Sequence, residues 1–132
     1  MIKLKDKEKL AIVGDQIMKP TSATFIANFL KINLLNNNFA LSNAGLYNLS
    51  SSGPPISWHN FAEMIYKEML AQELIIKMPK ISSILTKDYN SSVLRPRFSV
   101  LSTNKIKEKF ILDDTNYIET LKIELKRIYQ AV

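Results

Sequence analysis

Apolar positions along this chain recur at two periods, and the switches between them mark its elements. Residues 1–9 carry Ile2 and Leu4 and then alternating charge, which predicts a stub of helix. Leu10-Ala11-Ile12-Val13 is an apolar run bounded by Lys9 and Gly14 and predicts a buried strand. Residues 14–21, GDQIMKPT, predict a loop, because Pro20 biases Lys19 towards extended backbone. Thr21 or Ser22 can cap the helix that follows, on which Phe25, Ile26, Phe29, Leu30 and Leu34 form a wide apolar face. That helix should stop at Asn36-Asn37-Asn38, since asparagine favours turns over helix interiors.

The stretch 45–70 contains half of a βα unit. Leu46 to Leu49 predict a short strand, and Ser50-Ser51-Ser52-Gly53-Pro54-Pro55 must be a turn. Ser57 is placed as an N-cap, with Ile56 and Phe61 at the two positions of a hydrophobic staple. Trp58, Phe61, Ala62, Ile65 and Met69 then recur at helical spacing. On this reading Trp58 is a core residue, and its replacement by alanine costs about 3–5 kcal/mol.

Further on, Leu74 to Met78 predict a strand stopped by Pro79, and residues 81–89 fit neither period. Residues 90–97 form a loop with Arg95 and Arg97 around Pro96, and Phe98 to Leu101 are briefly extended. Ser102 or Thr103 can cap a helix carrying Ile106 and Phe110. A last helix, starting near Thr115, places Ile118, Leu121, Leu125 and Ile128 on one face. Asp113 and Asp114 precede it and Lys126 and Arg127 close it, as the helix dipole favours.

Length adds one constraint: 132 residues suffice for a single domain, 1–132, with its own core. No run is long enough to span a membrane and the first ten residues hold no apolar signal core. The absence of cysteine excludes disulfides and fits a cytoplasmic protein. Lys and Arg outnumber Asp and Glu 18 to 12, but the basic residues are dispersed and interrupted by acids. With no nucleic-acid motif beside them, nucleic acid is not expected as a partner.

Catalytic chemistry is hard to assemble from these residues. The single histidine, His59, sits in the first turn of a helix, where a surface or capping imidazole is the ordinary reading. Three glycines cannot make a glycine-rich phosphate cradle, and no carboxylate cluster suggests a metal. Two loops remain. Asp15 and Gln16 directly follow a strand, where open α/β folds present ligand groups. Arg95 and Arg97 are placed where a guanidinium can pair with phosphate. Each has a structural alternative, a carboxylate capping a helix or an arginine holding a loop.

Three runs in order resemble one family, the dTDP-4-dehydrorhamnose reductases of the extended short-chain reductases. LAIVGDQIMKPT (10–21) is similar to the family's strand followed by Asn-Asp-Gln-x-Gly-x-Pro-Thr. GLYNLSSSGPPISWHNFA (45–62) is similar to its Gly-x-Tyr-His-x-x-x-x-Gly segment with Ser or Thr, then Trp, an aromatic and Ala. DYNSSVLRPRFSVLSTNKI (88–106) is similar to its Tyr-Pro-Thr-Pro-Ala-x-Arg-Pro-x-Asn-Ser-x-Leu run. Asp15, Gln16, Pro20, Thr21, Arg95, Pro96 and Ser99 match; Gly14, Met18, Asn90, Ser92, Phe98 and Val100 depart from the pattern.

The resemblance implies an α/β fold, the C-terminal substrate-side subdomain of an extended short-chain reductase, with short strands and several packed helices. It implies a dTDP-linked deoxysugar as ligand, with Asp15, Gln16, Thr21 and Arg95 as substrate-binding residues and neither catalytic nor metal-binding residues here. NADPH is implied for the complete family enzyme, on an N-terminal Rossmann domain that also carries the Tyr-x-x-x-Lys pair, and no cofactor is expected on this chain. Met1 falls where the family has the middle of a helix, which suggests a split or truncated gene or a fragment, with a separately encoded Rossmann-domain chain as a partner. Alone, the chain is then expected to show no turnover. The alternative is a non-catalytic binding or regulatory module of the same fold family. For Arg95 the choice lies between a ligand phosphate and the 14–21 loop, and the departures at Phe98 and Val100 tip it to the structural role.

Overall fold

An apolar run must hand its backbone N–H and C=O groups to a neighbour. β1 (Lys9–Val13) finds that neighbour late in the chain, pairing in parallel with β4 (Lys80–Ile84) from Lys9↔Lys80 to Val13↔Ile84. Gly14 N–H extends the ladder to Ile84 O at 2.9 Å, and Leu10 and Val13 face inwards while Ala11 is exposed. The computed structural model describes residues 8–36 and 41–130. These cluster into two compact units, one built from 8–18, 55–99 and 122–130, the other from 19–36, 41–54 and 100–121. Of the helix expected over 1–9, residues 1–7 lie outside the described residues, and Lys9 already belongs to β1.

In the first unit, the loop expected over 14–21 contains a short strand, β2 (Ile17–Met18), antiparallel to β3 (Ile56–Ser57). α2 (Trp58–Ala71) follows at once, and Ser57 is its N-cap, Oγ accepting from Asn60 N–H at 3.1 Å. The buried line of α2 runs through Tyr66 and Met69. Trp58 lies off that line and is 46% exposed, contrary to the core role expected for it. An indole that keeps half its surface in water cannot lose on truncation what a buried aromatic loses.

α2 closes in a Schellman turn, with Glu73 N–H donating to Leu70 O and Leu74 N–H to Met69 O, at 3.0 and 2.9 Å. Glu73 takes the left-handed position, φ 57°. Committing Leu74 N–H to the helix end helps explain why no strand forms over 74–78. Ile75 is buried and Ile76 fully exposed there. Pro79 has no N–H to donate, so pairing starts at Lys80, whose N–H donates to Glu8 O at 2.8 Å. Residues 81–84, which fit neither period, are strand because β1 takes their backbone bonds.

In the second unit, α1 (Ala23–Leu35) is capped by Ser22, whose Oγ accepts from Phe25 N–H at 3.0 Å, and it ends at Asn36. Its buried line is Phe25, Phe29 and Asn33; Ile26, Leu30 and Leu34 are exposed, so the apolar face is narrower than expected. Asn33 is fully buried and clasps Ile111, donating to its carbonyl at 2.8 Å and accepting from its N–H at 2.9 Å. Phe29, Ile106 and Phe110 form the core, with Tyr47 and Leu49 packed against it. Ile106 comes from the short α3 (Asn104–Lys107).

The strand expected over 46–49 is absent because no strand lies beside it. Instead Lys105 Nζ donates to Leu46 O at 2.9 Å, and Tyr47 stands edge-on to Phe110, centroids 5.1 Å apart. Gly53 is required, since φ is 117° and a Cβ there would come within 2.7 Å of the Tyr117 ring. α4 (Tyr117–Gln130) starts two residues later than the sequence suggests, where Asn116 Oδ1 accepts from Ile118 N–H at 3.0 Å. Leu125 of that helix, 1% exposed, belongs to the first unit. Among the described residues no helix is long and apolar enough to cross a membrane.

Candidate functional site

β1 ends and the chain turns, which leaves Asp15 and Gln16 at the strand's C-terminal end. The side chains of both meet one residue, Thr86, which opens a short 3-10 turn, Thr86–Asp88. Asp15 Oδ1 accepts from Thr86 N–H at 2.8 Å and from its hydroxyl at 2.6 Å, and Gln16 Nε2 donates to Thr86 Oγ1 at 3.2 Å. The Thr86 hydroxyl bond holds the Asp15 carboxyl below its ordinary 3.8. Partial burial opposes this, while the Thr86 and Asp15 backbone N–H groups and the Arg97 charge reinforce it. Asp15 Oδ1 thus accepts from the first N–H of this helical turn.

Gln16 is buried, and its carbonyl accepts from Trp58 N–H at 3.4 Å, tying the start of α2 to this loop. A third segment closes the arrangement. Ile17 N–H donates to Arg97 O at 2.8 Å and Ser99 N–H to Ile17 O at 2.9 Å, around a bridge from Ile17 to Phe98. Ile17 thus anchors one end of the exposed 89–99 loop, and Phe98 is extended as expected.

These segments enclose a cavity of about 310 Å³ whose lining includes Ile12, Gln16, Trp58, Thr86, Tyr89 and Arg95. Its volume is at the lower end of small-molecule sites, about 300–1,000 Å³. Arg95 makes no ion pair or hydrogen bond among the described residues, so no bond to the 14–21 loop supports the structural role favoured for it. The loop is held instead by the backbone of Arg97. Of the four residues singled out in the sequence, Gln16 and Arg95 line this cavity and Asp15 stands behind it. Thr21 lies in the second unit, donating to Ser50 Oγ at 3.3 Å and accepting from Ser51 N–H at 3.3 Å.

Among the other lining residues are Tyr89, Trp58 and Thr86, none of them expected at a site. Tyr89 is the tyrosine of the 88–106 run. Trp58 at helical spacing reads as core, and nothing near Thr86 marks it as the partner of a residue 71 positions earlier. His59 lies outside the lining, its Nδ1 3.1 Å from Asn60 Oδ1. A wider hollow of about 490 Å³ lies at the ends of α2 and α4, lined by Gln72, Glu73, Lys126, Tyr129 and Gln130 among others. Among the described residues no group of three or more His, Cys, Asp or Glu can hold a metal.

The family described as RmlD substrate binding domain matches the chain over residues 1–130. A dTDP-4-dehydrorhamnose reductase of Aggregatibacter actinomycetemcomitans is 31% identical over 120 residues, 89% of this chain and 40% of the relative. The crystal structure of a dTDP-4-dehydrorhamnose reductase from Bacillus anthracis, in complex with NADP, superposes with a TM-score of 0.70 at 25% identity, covering 92% of this chain and 40% of that one. One from Clostridium acetobutylicum shares the fold, with a TM-score of 0.75 at 23% identity over 96% of this chain and 41% of that one. The chain thus spans about 40% of the length of these relatives.

Proposed function

This chain belongs to the RmlD substrate-binding-domain family, and we propose that it is the substrate-holding side of an NADPH-dependent dTDP-4-dehydrorhamnose reductase, not catalytic by itself. The carrying observation is that an unpaired arginine, Arg95, opens onto the same cavity as Gln16 and Trp58. A guanidinium pairs with a diphosphate through two parallel hydrogen bonds, and that fixes orientation as well as charge. In this reading Arg95 grips the diphosphate of a dTDP-linked deoxysugar, and the rigid Asp15–Thr86–Gln16 cluster holds one wall of the cavity.

The residues present do not fit a dinucleotide. The three glycines of the sequence form no glycine-rich turn that could cradle a pyrophosphate. NADPH is therefore assigned to a Rossmann portion, in the same polypeptide or in a separately encoded chain.

Calorimetric titration of the chain with dTDP-rhamnose tests the reading. Saturable binding is expected, and Arg95→Lys should weaken it about tenfold, because the fork is lost while the charge stays. Ligand-free melts of the two proteins should coincide. Absence of binding at millimolar ligand overturns the proposal.

A further inference from the structure

α1 is apolar on more than its buried side. Phe25, Phe29 and Asn33 take that side. Ile26, Leu30 and Leu34 follow one another at four-residue steps beside it and are 40%, 44% and 61% exposed. They form one row, since residues four apart lie one above the other on a helix. Ile111, held to Asn33 through its backbone N–H and C=O, is half exposed alongside α1. Charge avoids this stretch: from Pro20 to Tyr47 the only charged residue is Lys31, in a chain that is 23% charged. α4 shows the ordinary arrangement, turning Glu119, Lys122, Lys126 and Arg127 to water. A helix that is apolar beyond its core-facing stripe is one that something covers.

We propose that this row is a contact between two copies of the chain. Charge and shape choose the occupant. A chain of net charge +6 draws an acidic partner to its basic surface, and α1 offers such a partner Lys31 alone. An uncharged row fits a surface of its own kind, as interface centres are depleted of charge, and a second copy supplies one by identity. A row of residues four apart is also a ridge with grooves beside it. Two such ridges interlock at a crossing angle of about −50°, and the relation is the same seen from either helix. It therefore obeys a twofold axis, across which contacts are reciprocal. With the crossing at the middle of the row, Leu30 packs on its counterpart in the other copy. A few side chains are far short of the roughly 20–30 residues a side of a standard interface, so the dimer is weak and depends on concentration.

The experiment measures the mass of the intact chain by light scattering from about 5 to about 500 µM, a span that covers weak dissociation constants. The expected result is 15.1 kDa at the dilute end and a rise towards twice that mass at the other. Leu30→Glu puts a charge at the middle of the row in a residue that suits a helix, and should hold the mass at the monomer's throughout. Leu30→Cys gives a second readout, because the chain has no cysteine of its own. Where the helices cross, two such thiols stand close enough for a disulfide. This variant should therefore cross-link into dimers under oxidant at least about tenfold faster than Lys67→Cys, whose thiol lies on an exposed position of α2. If Leu30→Glu fails to fold, the two cross-linking rates decide. A monomer's mass at about 500 µM overturns the proposal and leaves the row to a different protein. A dimer that Leu30→Glu leaves intact, or equal cross-linking rates, overturns it and places the contact elsewhere.

Discussion

A carboxylate that accepts two hydrogen bonds from one threonine is a clasp, and a clasp of this kind has a pH signature. Asp15 is held below its ordinary 3.8 chiefly by the Thr86 hydroxyl, so the folded chain favours the charged form more than the unfolded chain does. The stabilisation is present above the unfolded value and disappears as pH falls through the lowered folded one. Asp15→Asn removes the titration and keeps an acceptor oxygen. The expected result is a wild-type advantage in melting temperature near neutral pH that narrows steadily from about pH 5 to about pH 2. An advantage that stays constant over that interval would show that Asp15 contributes through shape alone. The same residue illustrates how position and role separate: at the end of β1 it stands where ligand groups are usually presented, and its Oδ1 is bonded to Thr86 of the protein itself. Its neighbour Gln16, one residue on, reaches the cavity.

At the scale of elements, the turn that ends α2 is made with an unsuitable residue. A Schellman turn needs a left-handed residue, and glycine adopts it without the clash between Cβ and carbonyl that costs other residues about 1–2 kcal/mol. Here Glu73 holds that place at φ 57°. Glu73→Gly should raise stability by about 0.5–1 kcal/mol, once the greater freedom of glycine in the unfolded chain is subtracted. Equal or lower stability in a denaturant titration would mean that the Glu73 side chain makes a compensating contact. This turn also shows what the sequence could and could not tell. Ser22 and Ser57 are local signals, a hydroxyl reaching three residues ahead, and both caps are legible. Strands need partners, and partners are not local. Leu46 to Leu49 have strand-like residues but no neighbour, whereas Lys80 to Ile84 have a mixed pattern and become a strand because β1 is there. The candidate site divides the same way. Gln16 and Arg95 stood out through their loops, while Thr86 emerges only when the fold brings position 86 to position 15.

At the scale of the whole molecule the chain passes between its two units four times, so that neither is a continuous stretch. Pairing β1 with β4 closes a loop that contains residues 19–54, and the entropy of closure grows with the number of free residues inside it. When the second unit is folded, the two ends of that segment are already held, and the effective loop is shorter. Closure entropy changes by only about 0.6 kcal/mol per doubling of length, so this alone couples the units modestly. It nevertheless favours folding both over folding either. We therefore expect residues 1–132 to behave as one cooperative domain. Trp58 lies in the first unit and is the only tryptophan, so its fluorescence follows that unit, whereas far-ultraviolet dichroism follows the helices of both. Ile106, 3% exposed in the core of the second unit, is the lever. Ile106→Ala should cost about 2–5 kcal/mol, the range for a buried aliphatic side chain cut to alanine. In a cooperative domain that loss moves the Trp58 midpoint and the dichroism midpoint together, although residue 106 and the reporter belong to different units. A Trp58 transition that stays where the unmodified chain has it, while dichroism splits into two steps, would show that the units unfold separately.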